Sequence, residues 1–336
     1  MADTTDYVTT LHAVSWVLGF LVIVVTIARM CGRVLVIRQT GWDDFFMCFG
    51  ALNAIVSSVL VTIGVYYGIG THQADIETPY KLSQAIKYST IAPVMSIISS
   101  SSSKVSIFIF LLRLMGMTVK RRHLYFLWGL CILMAMLNLM AIVLLLRFCS
   151  PTAYQWDKSL HGTCIDPEIQ VRAGIIQSGY NAFVDIILAV FPMTFITKLN
   201  ISRKMKVGLC FMMGGTIFAA ACTIVKAYLI KNLDQQQDIT WYWASITLLY
   251  TAEMDVIIIV GTIPALWPLL KFLRRRGTSR ECSPYKNASS NVEHVEGSDA
   301  YQLENSNSTK AKPGPVSRAL QELDELRTVQ VDNNQP

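Results

Sequence analysis

The chain has 336 residues, of which 52% are hydrophobic and only 15% charged, and its mean hydropathy is +0.41. Soluble globular chains carry about 25% charged residues, so the composition argues against a soluble enzyme, a disordered regulator and a nucleic-acid binder. The formal net charge of +6 is modest, and its placement along the chain says more than its size.

A helix crossing a bilayer needs about 20 mostly apolar residues. Seven stretches qualify: roughly Leu11–Met30, Asp44–Tyr67, Ile86–Leu114, Leu124–Leu146, Ala173–Ile196, Val207–Ile230 and Trp241–Leu270. The third carries the run Ser99 to Ser103 followed by Lys104, and it is a span only if those groups face other helices. The first lacks the basic flank of a cleaved signal peptide. Lys and Arg collect on the cytoplasmic side of membrane proteins. Sixteen lie in the first, third and fifth connections and just after the last span, among them Arg29, Arg33, Arg113, Lys204 and Arg274. Six lie on the other side: Lys81, Lys87, Arg147, Lys158, Arg172 and Lys231. The expected fold is therefore an all-α polytopic membrane protein. It is a seven-helix bundle over 11–272, with a short outside or lumenal N-terminus (1–10) and a cytoplasmic C-terminus. Trp42, Trp128, Trp241, Trp243 and Trp267 fall near span ends, where interfacial aromatics belong.

Cys48, Cys131, Cys210 and Cys222 sit inside spans and read as small apolar residues. Cys149 and Cys164 bracket a polar loop on the side assigned as non-cytoplasmic, which is the oxidising side in secretory membranes, so a disulfide is expected there. Residues 273–336 are rich in Ser, Asn, Gln and Glu and cannot bury a core, which predicts a disordered cytoplasmic tail. One island, 316–329, places Val316, Ala319, Leu320, Leu323 and Leu326 near helical spacing. It reads either as a transient helix or as a short element for a cytoplasmic partner. The sequons at Asn287 and Asn307 fall in this tail and are expected to be unmodified.

Several short motifs occur in a telling order. Arg29-Met-Cys-Gly-Arg33 leads to Gly41-Trp42-Asp43-Asp44, and Lys104-Val-Ser106 is followed by Arg113. The loop carries Cys149-Ser-Pro151, Trp156, Gly162 and Cys164. The fifth span has Asn181, Asp185 and Pro192, with Lys204 beyond it, and the last has Glu253 and Pro264-Ala-Leu-Trp-Pro268. In these pieces, from about Arg29 to Leu270, the chain resembles the fungal rhodopsin-like-domain membrane proteins, a group that includes satratoxin-cluster-type membrane proteins and receptor-like proteins of plant-pathogenic fungi. Cys31 stands where the family often has Tyr. Only about ten residues precede the first span, without a cysteine-rich module, which weakens a receptor reading that depends on one. The resemblance raises the question of retinal. A microbial-type retinal protein needs a lysine inside the last span, and Trp241 to Leu270 holds none. No retinal and no other cofactor is expected. The animal G-protein-coupled receptor signatures are also missing, since no acidic residue adjoins Arg113 and no Asn-Pro-x-x-Tyr lies in the last span.

Ionisable groups at membrane depth are costly and by default mark a site. Asp185, Glu253 and Asp255 are the candidate proton donors, and Glu253 and Asp255 lie about 200° apart around a helix, so they cannot share a face. Lys104, Asn53, Asn138 and Asn181 are the other polar candidates. Ser96, Ser99, Ser103 and Ser106 form one helical stripe. The plainer reading is an interhelical network, Lys104 with Asp185 or Glu253, with the serines allowing close helix approach. The chemical reading is an apolar cavity in which a protonated Asp or Glu starts cyclisation of an isoprenoid, with Tyr66, Tyr88, Tyr180, Phe183, Trp243 and Tyr250 as candidate walls. Asp43 and Asp44 near Arg33 and Arg38 read as a structural ion-pair cluster. No metal-ligand spacing, phosphate loop or catalytic triad occurs. Three readings follow. The first is a membrane protein acting in secondary metabolism on or alongside a lipophilic intermediate. The second is an integral-membrane terpene or meroterpenoid cyclase. The third is a non-retinal receptor for a lipophilic ligand. The expected partners are the bilayer and a lipophilic, prenylated-type small molecule, and no nucleic acid.

Overall fold

Inside hydrocarbon every backbone N–H and C=O must find its partner within the chain, and a helix does this locally. The apolar stretches accordingly fold as seven long helices: α1 (Asp3–Cys31), α2 (Trp42–Tyr67), α3 (Pro79–Met115), α4 (Arg121–Leu146), α5 (Pro167–Ile196), α6 (Arg203–Lys231) and α7 (Ile239–Thr278). All seven are long and apolar enough to cross a membrane. The computed structural model describes residues 3–37, 40–72, 76, 78–115, 121–157, 159–196, 203–231 and 239–278. The tail island 316–329 and the sequons at Asn287 and Asn307 lie outside the described residues.

Several helices overrun the expected spans, chiefly at the starts of α1, α3 and α5 and at the end of α7, because polar flanks continue the helix past the apolar core. α1 runs directly into a π-helical segment, Gly32–Ile37. α2 stops at Gly68, whose φ of +117° is a left-handed conformation that glycine adopts without steric cost. Its N–H and that of Ile69 close back on the carbonyls of Val65 and Gly64.

Burial is arranged as lipid demands. The apolar windows of α3 and α7 are 67% and 61% buried, against 22% for α1 and α4, so α3 and α7 form the centre of the bundle. Trp16 and Phe20 of α1, Leu133 and Met136 of α4, and Phe211 of α6 face outward. An apolar core of Val22, Met47, Ile107, Leu127, Met134, Leu188, Met212 and Met254 joins the helices towards the end that carries Arg29 and Arg113.

Helices in lipid gain little from the hydrophobic effect on association, so small and polar residues hold them together. The α2–α3 seam is built this way. Ser57 and Ser96 share a hydroxyl–hydroxyl bond of 2.9 Å, and Ser99 Oγ donates to the Gly50 carbonyl at 2.8 Å. A Cβ on Gly50 would lie 2.5 Å from Ser103 Oγ, so only glycine permits this approach. Farther along, Ser106 Oγ donates to the Asp43 carbonyl at 2.5 Å. The serine stripe expected on α3 thus faces α2 and seals a helix pair.

Pro93 lies inside α3. Lacking an N–H, it cannot cap the carbonyl of Ser89, four residues earlier. The indole Nε1–H of Trp243 on α7 donates to that carbonyl at 2.5 Å instead. The proline's freed acceptor thereby becomes a tie between the two central helices.

The α4–α5 connection folds over one end of the bundle. Strand β1 (Cys149–Ser150) pairs antiparallel with β2 (Thr163–Cys164), and Cys149 is disulfide-bonded to the opposite Cys164. A 3-10 turn, Thr152–Gln155, fills the loop between them.

Candidate functional site

Four charges meet in the interior. Lys104 of α3 donates to Asp185 of α5 at 3.0 Å and to Glu253 of α7 at 3.3 Å. Lys226 of α6 donates to the other Glu253 oxygen at 2.6 Å. All four side chains are at most 4% exposed, so none is solvated by bulk water. Two ammonium groups balance two carboxylates, the only economical way to hold such groups at this depth. Ser100 Oγ adds a bond to Glu253 at 3.1 Å, and the Lys226 ammonium lies 3.9 Å from the ring centre of Tyr250.

A neutral chain extends the network. Lys104 donates to Asn181 Oδ1 at 3.3 Å, Asn181 Nδ2 to Asn138 Oδ1 at 2.8 Å, and Gln177 Nε2 to the same Asn138 oxygen at 2.8 Å. Asn138 Nδ2 in turn donates to Ser101 at 2.7 Å. Helices α3, α4, α5, α6 and α7 are therefore joined by one set of polar contacts.

Above this network lies a cavity of about 330 Å³, at the lower end of the usual range for ligand pockets, about 300–1,000 Å³. Its walls come from α3, α4, α5, α6 and α7, and the disulfide loop contributes Cys149 and Gln155. Most of the lining is apolar, including Ile86, Leu144, Leu145, Phe148, Val171 and Ile230. Ser89, Thr90, Gln155, Gln170, Gln177, Thr240, Trp243 and Tyr250 supply the polar atoms, and no Asp, Glu, Lys, Arg or His is among the described lining residues. Gln177 and Tyr250 also wall a void of only about 10 Å³ beside Lys226 and Glu253. They are the shared boundary between cavity and charge network.

A second ion cluster closes the opposite end. Arg29 of α1 binds Asp43 and Asp44 of α2 at 2.9 Å each, and Arg33 reaches Asp43 at 3.0 Å. Arg113 of α3 approaches Asp43 at 3.5 Å, and Arg29 also donates to the Gly261 carbonyl of α7 at 3.3 Å. The aspartates stand in the first turn of α2, where a helix N-terminus favours negative charge. The partners are Arg29, Arg33 and Arg113; Arg38 lies outside the described residues.

The structure separates the residues singled out in the sequence. Lys104, Asp185, Glu253, Asn138 and Asn181 come together in the network. Trp243 and Tyr250 line the cavity, whereas Tyr66 and Phe183 are exposed and Tyr88 stacks on Tyr67. Tyr180 donates its hydroxyl to the Leu130 carbonyl at 3.2 Å. Asn53 bonds the Phe49 carbonyl of its own helix, and Ser99 and Ser103 belong to the α2–α3 seam. Asp255 is fully buried, turned away from Glu253, with neither oxygen hydrogen-bonded among the described residues. Lys226, Ser100, Gln177 and Gln155 were not singled out as site residues. Lys226 carried a signal as a lone lysine inside a span, and Ser100 lies in the serine run, whereas the two glutamines carried none.

Among the described residues no group of three or more His, Cys, Asp or Glu is placed to hold a metal ion. Among the residues whose side chains are described, the buried lysines are Lys104 on α3 and Lys226 on α6.

The fungal rhodopsin domain matches residues 28–272, which take in the arginine cluster, the network, the disulfide loop and the cavity. A SAT4 family membrane protein of Emericella nidulans is 24% identical over 236 residues, covering 69% of this chain and 55% of that protein. The chain thus spans about half the length of this curated relative. No solved structure matches. With a match over most of its length and seven membrane-crossing helices, this integral multi-pass membrane protein belongs to the fungal rhodopsin domain family.

Proposed function

We propose that the protein binds a lipophilic small molecule in the cavity beneath the disulfide loop and acts as a receptor-like transducer across the bundle. One observation carries this reading: the cavity floor, Gln177 and Tyr250, is also the roof of the buried charge network. A ligand that presses on Tyr250 acts on the Lys226–Glu253 pair. From there α3 and α7 lead to the arginine cluster, through Ser106 to Asp43 and through Gly261 to Arg29. On the asymmetry of basic residues, the cavity faces the non-cytoplasmic side and the arginine cluster the cytoplasmic side. The site is built from the helices together with the disulfide loop.

The cyclase reading asks for a carboxylic acid free to give up a proton inside the cavity. Asp185 and Glu253 are each tied to lysine ammonium groups, and neither is part of the cavity wall. Asp255 has no such partner but is not part of the cavity wall. The pairing therefore favours binding over acid catalysis. A role in secondary metabolism would follow from what the bound molecule is.

The test is saturable binding of a lipophile to the protein in lipid nanodiscs, compared with Ala141→Phe, which fills the cavity from α4. Binding should be lost in that variant while its helix content and thermal unfolding are kept. Equal binding to both proteins would place the ligand elsewhere and end the proposal.

A further inference from the structure

The cavity's polar atoms are not all occupied by the protein. Trp243 Nε1 is spent on the Ser89 carbonyl, Thr240 Oγ1 on the Thr71 carbonyl, Ser89 Oγ and Thr90 Oγ1 on the Ile86 carbonyl, and Gln177 Nε2 on Asn138. Gln155 differs. Its Nε2 donates to Thr90 Oγ1 at 3.4 Å, while its Oε1 is buried with no hydrogen-bond partner. A buried acceptor left unpaired costs free energy, and this one belongs to a residue of the cavity wall.

We infer that the cavity takes an uncharged, mostly hydrocarbon ligand carrying one hydroxyl-type donor, and that Gln155 Oε1 accepts its hydrogen. This rests on the proposed binding role of the cavity and adds the ligand's chemical class. Two independent features support it. The first is the orphaned acceptor. The second is that no Asp, Glu, Lys, Arg or His is among the described lining residues, which leaves a charged headgroup without a counter-ion there in mostly apolar surroundings. The disulfide loop is what brings Gln155 there: the 3-10 turn that ends at Gln155 lies between the paired strands that the Cys149–Cys164 bond ties together. Thr90, on the helix opposite, holds the amide's nitrogen end, and the oxygen end has no protein partner among the described residues. A site built around such a group discriminates strongly against an analogue that lacks the donor.

The test uses one dodecyl tail with four heads: 1-dodecanol, its methyl ether, dodecane and dodecyltrimethylammonium. Binding is measured in nanodiscs through the fluorescence of Trp243, identified as the reporter by Trp243→Phe. The alcohol should bind at least about tenfold more tightly than the ether and the alkane, which bind alike, and the ammonium compound weakest. Gln155→Leu should bring the alcohol down to the level of the ether and leave the ether unchanged, which a general loosening of the loop would not do. Thr90→Val should reduce the alcohol's advantage without altering the loop itself. An ether as tight as the alcohol overturns the donor inference and leaves the cavity reading intact. An ammonium compound as tight as the alcohol overturns the uncharged class. If none of the four binds saturably, the cavity reading itself fails.

Discussion

Lys226 and Glu253 face each other from neighbouring helices at 2.6 Å, both almost fully buried, and Glu253 extends its second oxygen to Lys104. Removing one member leaves a buried charge without its counterpart, which costs about 3–5 kcal/mol for a pair of this kind. Lys226→Met should therefore lower the unfolding temperature in detergent sharply. Lys226→Met combined with Glu253→Gln should recover much of the loss. A single variant as stable as the parent would mean the pair is not formed as described.

Asp255 is the opposite case. Its carboxyl is fully buried and neither oxygen has a hydrogen-bond partner among the described residues. An unpartnered polar group costs about 1–3 kcal/mol by mutational measures, so Asp255→Leu should leave thermal stability unchanged or raise it. A clear loss of stability would show that this carboxyl has a partner in the membrane.

The bond from Trp243 to the Ser89 carbonyl exists because Pro93 cannot supply an N–H. Trp243→Phe should cost about 1–3 kcal/mol, since the carbonyl loses its donor. In a Pro93→Ala background the backbone N–H returns, and the same substitution should cost measurably less. Equal costs in the two backgrounds would contradict the compensation.

The disulfide spans 15 residues of sequence, and in a chain-entropy model a loop of that size is worth about 3 kcal/mol. Cys149→Ser together with Cys164→Ser should lower the unfolding temperature. It should also weaken binding of 1-dodecanol more than of its ether, because Gln155 sits in the same loop. Unchanged preference for the alcohol would detach the loop from recognition.

The spans were legible in the sequence because lipid imposes one strong rule: an apolar run of sufficient length must be helical. Cys149 and Cys164 were legible for a related reason, two cysteines bracketing a polar loop among others embedded in apolar runs. The pairing of Lys104 with Asp185 or Glu253 followed from the cost of lone charges at depth. Lys226 was harder, because a sequence does not reveal which of several helices turns a lysine towards Glu253. The serine stripe on α3 was visible as a stripe, but its partner was not. Gly50 on α2 decides it, by allowing an approach that a side chain would block. Gln155 had no sequence signal at all, since its value comes from one amide oxygen left buried and unpartnered in a folded loop.

The most direct measurement of the central claim is photo-cross-linking in nanodiscs with a diazirine-bearing dodecyl alcohol, followed by peptide mapping with and without excess 1-dodecanol. The account predicts competable labels on cavity residues such as Leu145, Val171, Gln177 and Tyr250. Labels confined to outward-facing residues such as Leu133, Met136 and Phe211, and unaffected by 1-dodecanol, would contradict it.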